Sequence, residues 1–224
     1  MSAIRTVKIF LLMLGVLVIK QGNTTTTESG VHGSEAFLQL AISYDLSGKP
    51  ELARPIYDQL SRDNNAELSA VPSAVNYIAL NNIKLATTLF SAIEHSAYSR
   101  DRNYAQLWSL WLTAYQWKGS KTALIKRNKQ YINTHTWDLP WEQRIARLYA
   151  GEITPEALLL SISNWNVNEK MKSDVLTESL FFANSYLEFV DNNTSLAKEL
   201  FTQYQHALNN SSLEQPLLLK KYEK

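Results

Sequence analysis

The feature that most narrows what this chain can fold into is an internal echo at a spacing of 33 residues. The segment from Phe37 to Leu60 carries Phe37, Leu40, Ala41, Tyr44, Gly48, Ala53, Tyr57 and Leu60. A shift of 33 maps Ala41 onto Ala74, Tyr44 onto Tyr77, Ala53 onto Ala86, Tyr57 onto Phe90 and Leu60 onto Ile93. Small residues suit the closest approach of two paired helices, and aromatics fill the wedge between one hairpin and the next. Gly48 stands where the first helix must end in left-handed backbone, and Asn81, the next-best residue for that geometry, stands at the equivalent place. The unit that repeats is therefore a pair of helices.

These spacings are those of the tetratricopeptide repeat, and the expected fold is all-α: helical hairpins stacked into a short solenoid. Pro50 and Pro72 fall near expected first-turn positions, whereas Pro55 is expected to kink the second helix or delay its start. Beyond Arg102 the echo fades but the helical period persists. Leu107, Trp108, Trp111, Leu112 and Tyr115 form one apolar stripe ended by Gly119, and a helix from about Lys121 to Asn133 follows. Trp141, Ile145, Leu148 and Tyr149 outline another that stops at Gly151. Thr154, Pro155 and Glu156 supply a cap, a first-turn proline and an acidic first turn in order. Ser173 is expected to cap the next helix, which carries Leu176, Leu180, Phe181, Ala183, Tyr186 and Leu187; a last one carries Ala197, Leu200, Phe201 and Tyr204. The tail from residue 210 to 224, with Leu217, Leu218 and Leu219, reads as a docking strap or a frayed end.

The N-terminus has the three-part layout of an export signal. Arg5 and Lys8 precede an apolar run from Ile9 to Ile19, and a Thr-rich polar stretch follows. Eleven helical residues span only about 16 Å against a hydrocarbon core of about 30 Å, so an ordinary spanning helix would be short. Residues 1–30 are assigned to a signal or anchor with a polar linker, 31–209 to the helical repeat, and 210–224 to the tail. The expected location is exported and periplasmic, with residues 9–19 as a membrane tether if the signal is not cleaved.

Composition bounds the partners. With 45% hydrophobic and 19% charged residues the chain is globular, and a net charge of +1 gives no field to gather nucleic acid. There is no cysteine, which excludes disulfides, thiolate metal sites and lipid on an N-terminal cysteine. His32, His95, His135 and His206 fit no metal-ligand spacing, so neither a metal nor another cofactor is expected, nor catalysis. Glu178 is the most tempting carboxylate, beside Phe181 and Phe182 on a largely apolar helix where its pKa would rise; the plainer reading is a cap or an ion pair with a neighbour. Trp108, Trp111 and Trp141 share faces with Leu and Ile and read as core, whereas Trp117, Trp137 and Trp165 are less committed. The basic-rich stretch of Arg100, Arg102, Lys118, Lys121, Lys126, Arg127 and Lys129 reads as a solvated face.

From about Tyr104 to Gln205 the chain resembles the NlpI family of envelope tetratricopeptide-repeat lipoproteins. The resemblance is carried by Ile145 through Thr154 leading into Leu158, by Leu107, Trp108, Trp111 and Leu112, and by Thr177 through Phe182 onward to Leu196, Ala197, Leu200 and Phe201. It implies a helical adaptor that holds cell-wall enzymes, or a protease acting on them, at the envelope, and that tends to dimerise. The sequence departs from that family in having no cysteine to carry the lipid.

The repeat register places Leu38, Ile42 and Leu46 from the first unit, and Val71, Val75 and Ile78 from the second, on the concave face where such arrays bind their partners. All six are apolar, so something must cover them: the chain's own tail, a partner's helix or a second copy. The function expected is a non-enzymatic scaffold for other envelope proteins or peptides; the alternative is a cell-wall-active enzyme or glycan-binding module using Glu178 and the tryptophans.

Overall fold

The computed structural model describes residues 28–63 and 66–223, and over these residues the protein is all-α. The apolar run from Ile9 to Ile19 and nearly all of the expected leader lie outside the described residues. Among the described residues no helix is long and apolar enough to cross a membrane.

Helices α1 (Glu28–Leu46) and α2 (Pro50–Arg62) form one hairpin, and α3 (Ala66–Ala79) and α4 (Ile83–Ile93) form a second packed on the first. The echo in the sequence is an echo in space. Ala41, Ala53, Ala74, Ala86, Tyr57 and Phe90 are all fully buried. Gly48 (φ +69°) and Asn81 (φ +57°) both end their helices in left-handed backbone. In each case that residue's N–H bonds back three residues, Gly48 to the Asp45 carbonyl and Asn81 to Ile78. The next N–H bonds back five, Lys49 to Tyr44 and Asn82 to Tyr77, so orphan carbonyls are satisfied identically in both hairpins.

Two expectations need correction on α1. Phe37 and Leu40, read as packing positions, are 46% and 43% exposed, because no described helix precedes α1 to receive them. Leu38, read as lying on the open face, is instead wholly buried with Ala41, Ala53, Tyr57 and Leu60 in a small core of the first hairpin. Pro50 opens α2 as expected, but the other two prolines differ from expectation. Pro55 does not delay α2, which opens at Pro50, and Pro72 is the seventh residue of α3, not part of its first turn. The carbonyls these prolines leave unbonded belong to Glu51 and Leu68, both exposed residues, so water can serve them.

After α4 come α5 (Ser99–Gln116), α6 (Lys121–Thr134), α7 (Pro140–Tyr149), α8 (Pro155–Ser163), α9 (Glu169–Phe189), α10 (Thr194–Tyr204), a 3-10 turn at Gln205–Ala207, and α11 (Glu214–Tyr222). Side-chain oxygens of Ser120, Thr154, Asn168 and Asn193 accept backbone N–H groups at the starts of α6, α8, α9 and α10. The cap of α9 is thus Asn168; Ser173 lies a turn inside the helix and its Oγ donates to the Ala207 carbonyl at 2.8 Å. Helix α9 is the axis of this larger body. It packs on α5, α7, α8, α10 and α11, and every residue from Val175 to Leu187 is buried. At its heart Trp108 is enclosed by Phe90, Phe181 and Phe182 at centroid distances of 5.2, 5.0 and 5.5 Å.

The two hairpins are joined by a polar knot. Asp45 of α1 accepts from Tyr57 Oη at 2.8 Å and from Asn76 Nδ2 at 2.7 Å, so α1, α2 and α3 meet on one carboxyl. Arg54 donates to the Ser73 hydroxyl at 2.8 Å and lies over the Tyr77 ring at 4.0 Å. Burial pushes the Asp45 carboxyl up to about 6, against the pull of these donors.

Candidate functional site

The six residues named from the repeat do not form one open surface. Leu38 is in the hairpin core, while Ile42, Leu46, Val71 and Ile78 are half-buried. Val75 is only 3% exposed and lines a gap of about 10 Å³ with Asp45, Asn76, Ala79, Leu213, Pro216 and Leu217. What covers this part of the face is the chain's own C-terminus. Helix α11 packs on α9 through buried Leu218, touches α1, and sends Lys220 Nζ to the Ala79 carbonyl at 3.3 Å. Its far end is tied to Glu188 of α9 by Lys221 and Tyr222, and the Tyr222 ring stacks on Phe201 at 5.0 Å. The tail is a docked strap.

Where α11 begins, the structure assembles a group that periodicity did not reveal. Glu178 of α9 is 4% exposed and Glu142 of α7 is fully buried, and the two share one cation, Arg100 of α5. Arg100 Nη2 donates to Glu178 Oε2 at 3.1 Å, while Arg100 Nε stands 3.6 Å from Glu142 Oε1, beyond hydrogen-bonding range. Among the described residues no donor reaches either oxygen of Glu142 or Oε1 of Glu178. Burial, and then the facing Glu178, raise the Glu142 carboxyl well above the ordinary glutamate range; burial raises Glu178, against the pull of Arg100. A third carboxyl, Glu214 at the start of α11, is 4% exposed and accepts hydrogen bonds from Tyr104 Oη and Ser212 Oγ. Arg100 itself keeps 44% of its side chain open to solvent and lies near the Trp141 ring at 5.6 Å.

Both sequence readings of Glu178 therefore hold together, since it pairs with a neighbour and is raised by burial. Arg100 does this while staying partly in solvent, and Arg102 donates to the Ser96 carbonyl at 3.0 Å and pairs with Asp138. Trp108 and Trp111 are core as expected. Trp141 packs against the edge of that core, half-buried beside Arg100 and Trp165.

The larger recess lies elsewhere. Helix α6 packs on α7 and stands off from α5, leaving a groove of about 500 Å³ between α4, α5 and α6. Thr87, Ser91, Ser109, Thr113 and Gln116 contribute polar groups, and Glu94 accepts from Ser109 and, at 2.8 Å, from Tyr131 Oη. None of the six named residues lines it, and it does not open onto Glu178. Among the described residues no group of three or more His, Cys, Asp or Glu side chains is placed to hold a metal ion.

No protein-family model matches the chain, and no curated protein or solved structure matches it either. The resemblance to the NlpI family rests on the motifs alone. Sequence reasoning missed Glu142, Arg100 and Glu214 because they lie on three further helices, 36 or more residues from Glu178 along the chain. The one available signal was Glu142 itself, an acidic residue beside Trp141 on the helix that carries Ile145, Leu148 and Tyr149.

Proposed function

We propose that this protein is an exported, tetratricopeptide-like helical scaffold of the bacterial cell envelope that binds other proteins and catalyses nothing. The observation that carries the proposal is α11 seated against α1 and α3: the apolar face around Val75 accepts a helix, here one of the chain's own. The two hairpins with matching buried residues and matching left-handed helix ends support the repeat architecture. The charged and apolar layout of residues 1–30 supports export.

The test is a photo-crosslinking residue at Ile78, on the proposed face, with the same residue at exposed Lys198 of α10 as the control, in cells making the full chain. A defined crosslinked protein from Ile78 that disappears in a folded Ile42→Asp, Val75→Asp variant supports the reading. Equal products from both positions sink it.

The alternative, an enzyme or glycan-binding module using Glu178 and the tryptophans, has one observation in its favour: a second carboxyl and an arginine converge on Glu178. The three undonated oxygens are closed to solvent, which leaves a substrate no approach without movement of Arg100. Loss of peptidoglycan-cleaving activity in Glu178→Gln, with the wild type active, would establish the alternative.

A further inference from the structure

Four helices meet where α11 begins. Arg100 comes from α5, Glu142 from α7, Glu178 from α9 and Glu214 from α11, with Tyr104 of α5 bonded to Glu214 and lying 6.0 Å beneath the Arg100 guanidinium. Two carboxyls face the guanidinium, and the third lies beyond Tyr104. If all three ionise, the group holds two uncompensated negative charges out of water, an arrangement that low-dielectric surroundings penalise heavily. One or two protons remove that penalty, and the undonated oxygens of Glu142 and Glu178 are where protons would sit.

The surrounding charges do not offset the imbalance. Asp101 of α5 adds further negative charge, while Asp138 before α7 is paired with Arg102 of α5 and Asp174 of α9 with Lys170, so these pairs bring no net positive charge to the cluster. Glu67 of α3, Lys121, Lys126, Arg127 and Lys129 of α6, Glu156 of α8, Lys198 and Glu199 of α10, and Lys220 and Lys221 of α11 are all solvent-exposed. Tyr104 remains a phenol, because burial and the facing Glu214 raise it well above its ordinary value.

When the proton is lost, the element that yields is the one held least. Helices α5, α7 and α9 are fixed by the core around Trp108, Tyr149 and Phe182, all fully buried. Helix α11 is nine residues long and buries only Glu214 and Leu218, and its first residue carries the third carboxyl. Leu213, Pro216 and Leu217, which cover Val75, adjoin that carboxyl, whereas the far end stays tied through Lys221, Tyr222 and Glu188.

We propose that Arg100, Glu142, Glu178 and Glu214 form a proton-operated catch on α11, which holds the strap over the α1–α3 face while the cluster is protonated and frees its leading end when the proton leaves. The catch would regulate the binding face assigned under the proposed function, and it rests on that reading only for its purpose. Raised carboxyls hold their protons in the fold through neutrality, so release comes as pH rises.

The experiment is hydrogen exchange on the full chain at about pH 6 and about pH 8.5, each amide corrected for its intrinsic rate, in wild type, Glu142→Gln, Glu178→Gln and the exposed-site control Glu199→Gln. The catch predicts that α11 amides lose on the order of tenfold in protection relative to α5 amides at the higher pH, as a linked shift of one pKa unit allows. Glu142→Gln and Glu178→Gln shrink that difference and Glu199→Gln keeps it. If Glu178→Gln does not fold, Glu142→Gln and the wild type decide. Equal loss in α5 and α11, no loss in either, or a pH effect undiminished in Glu142→Gln overturns the catch. If α11 frees itself but a crosslinker at Ile78 finds no partner at the higher pH, the catch stands and the scaffold reading falls.

Discussion

Asp45 in the first hairpin and Glu142 in the larger body are both carboxyls shut away from water, and they are treated in opposite ways. Asp45 receives two short hydrogen bonds, from Tyr57 and Asn76, and thereby fixes three helices to one another. Among the described residues Glu142 receives none, and Arg100 stands 3.6 Å away. A buried carboxyl with donors is a joint. One without donors keeps a proton or waits for a change, and the first hairpin, whose own core holds only five fully packed apolar residues, needs a joint.

The most severe test of the difference is to damage each region's packing. Phe182→Ala removes a wholly buried ring against Trp108 and Tyr149 and is expected to cost about 3–5 kcal/mol by chemical denaturation. Urea unfolding followed by tryptophan fluorescence should report it directly, since all six tryptophans lie in the larger body.

A sharper test cuts the joint. Asn76→Ala leaves Asp45 Oδ1 and the Pro50 carbonyl without their shared donor and is expected to cost about 1–3 kcal/mol. The same change in the larger body has no counterpart, because Glu142 has no donor to lose. Glu142→Gln is therefore expected to cost little near pH 6 and to stabilise the protein above neutrality. An equal loss at both pH values would mean that Glu142 is an ordinary ion-pair partner of Arg100.

The pH dependence separates the two regions again. Each carboxyl is raised in the fold, so its stabilising contribution is fully present below the unfolded value and is lost as pH rises through the folded one. Melting temperature should accordingly be highest in mild acid. Asp45→Asn removes the part of the decline that runs from the ordinary aspartate range and ends near 6, and Glu142→Gln removes the part that continues to higher pH. A melting temperature that rises with pH through neutrality would reverse the sign and defeat the burial argument for Glu142 and Glu178; a rise between the ordinary aspartate range and pH 6 that Asp45→Asn abolishes would defeat it for Asp45.

The smallest expected effect is at the helix ends. Gly48→Ala places a Cβ at φ +69° with nothing within 4 Å to clash, so the cost is backbone strain alone, about 1 kcal/mol. A change well below that, measured by the same urea titration, would mean that the hairpin turn relaxes and that the first unit is less firmly set than its echo in α3 and α4.

How far each region was legible follows from what its residues have to say locally. The hairpins were legible because Ala41 and Ala74, Tyr57 and Phe90, and Gly48 and Asn81 each meet a local demand of helix contact or helix ending. The later helix start at Thr154 was legible for the same reason, as a short-range hydrogen bond a few residues long. The start of α9 was misplaced because Asn168 and Ser173 are both good caps in isolation, and Ser173 found its partner 34 residues away at Ala207.

The carboxyl cluster was not legible at all beyond Glu178. Its members stand 36 to 78 residues from Glu178, and each taken singly looks like an ordinary surface charge. The strap was half legible: three leucines marked the tail as apolar, but only docking fixed that Leu218 turns into the core and that Leu213 and Leu217 line the gap at Val75. By itself the sequence determined the all-helical character, several helix ends and the pairing within the first two hairpins, because those depend on contacts within one turn or one hairpin. The tertiary structure alone decided which charges lose their water together, because burial belongs to no residue until the distant helices that enclose it have packed.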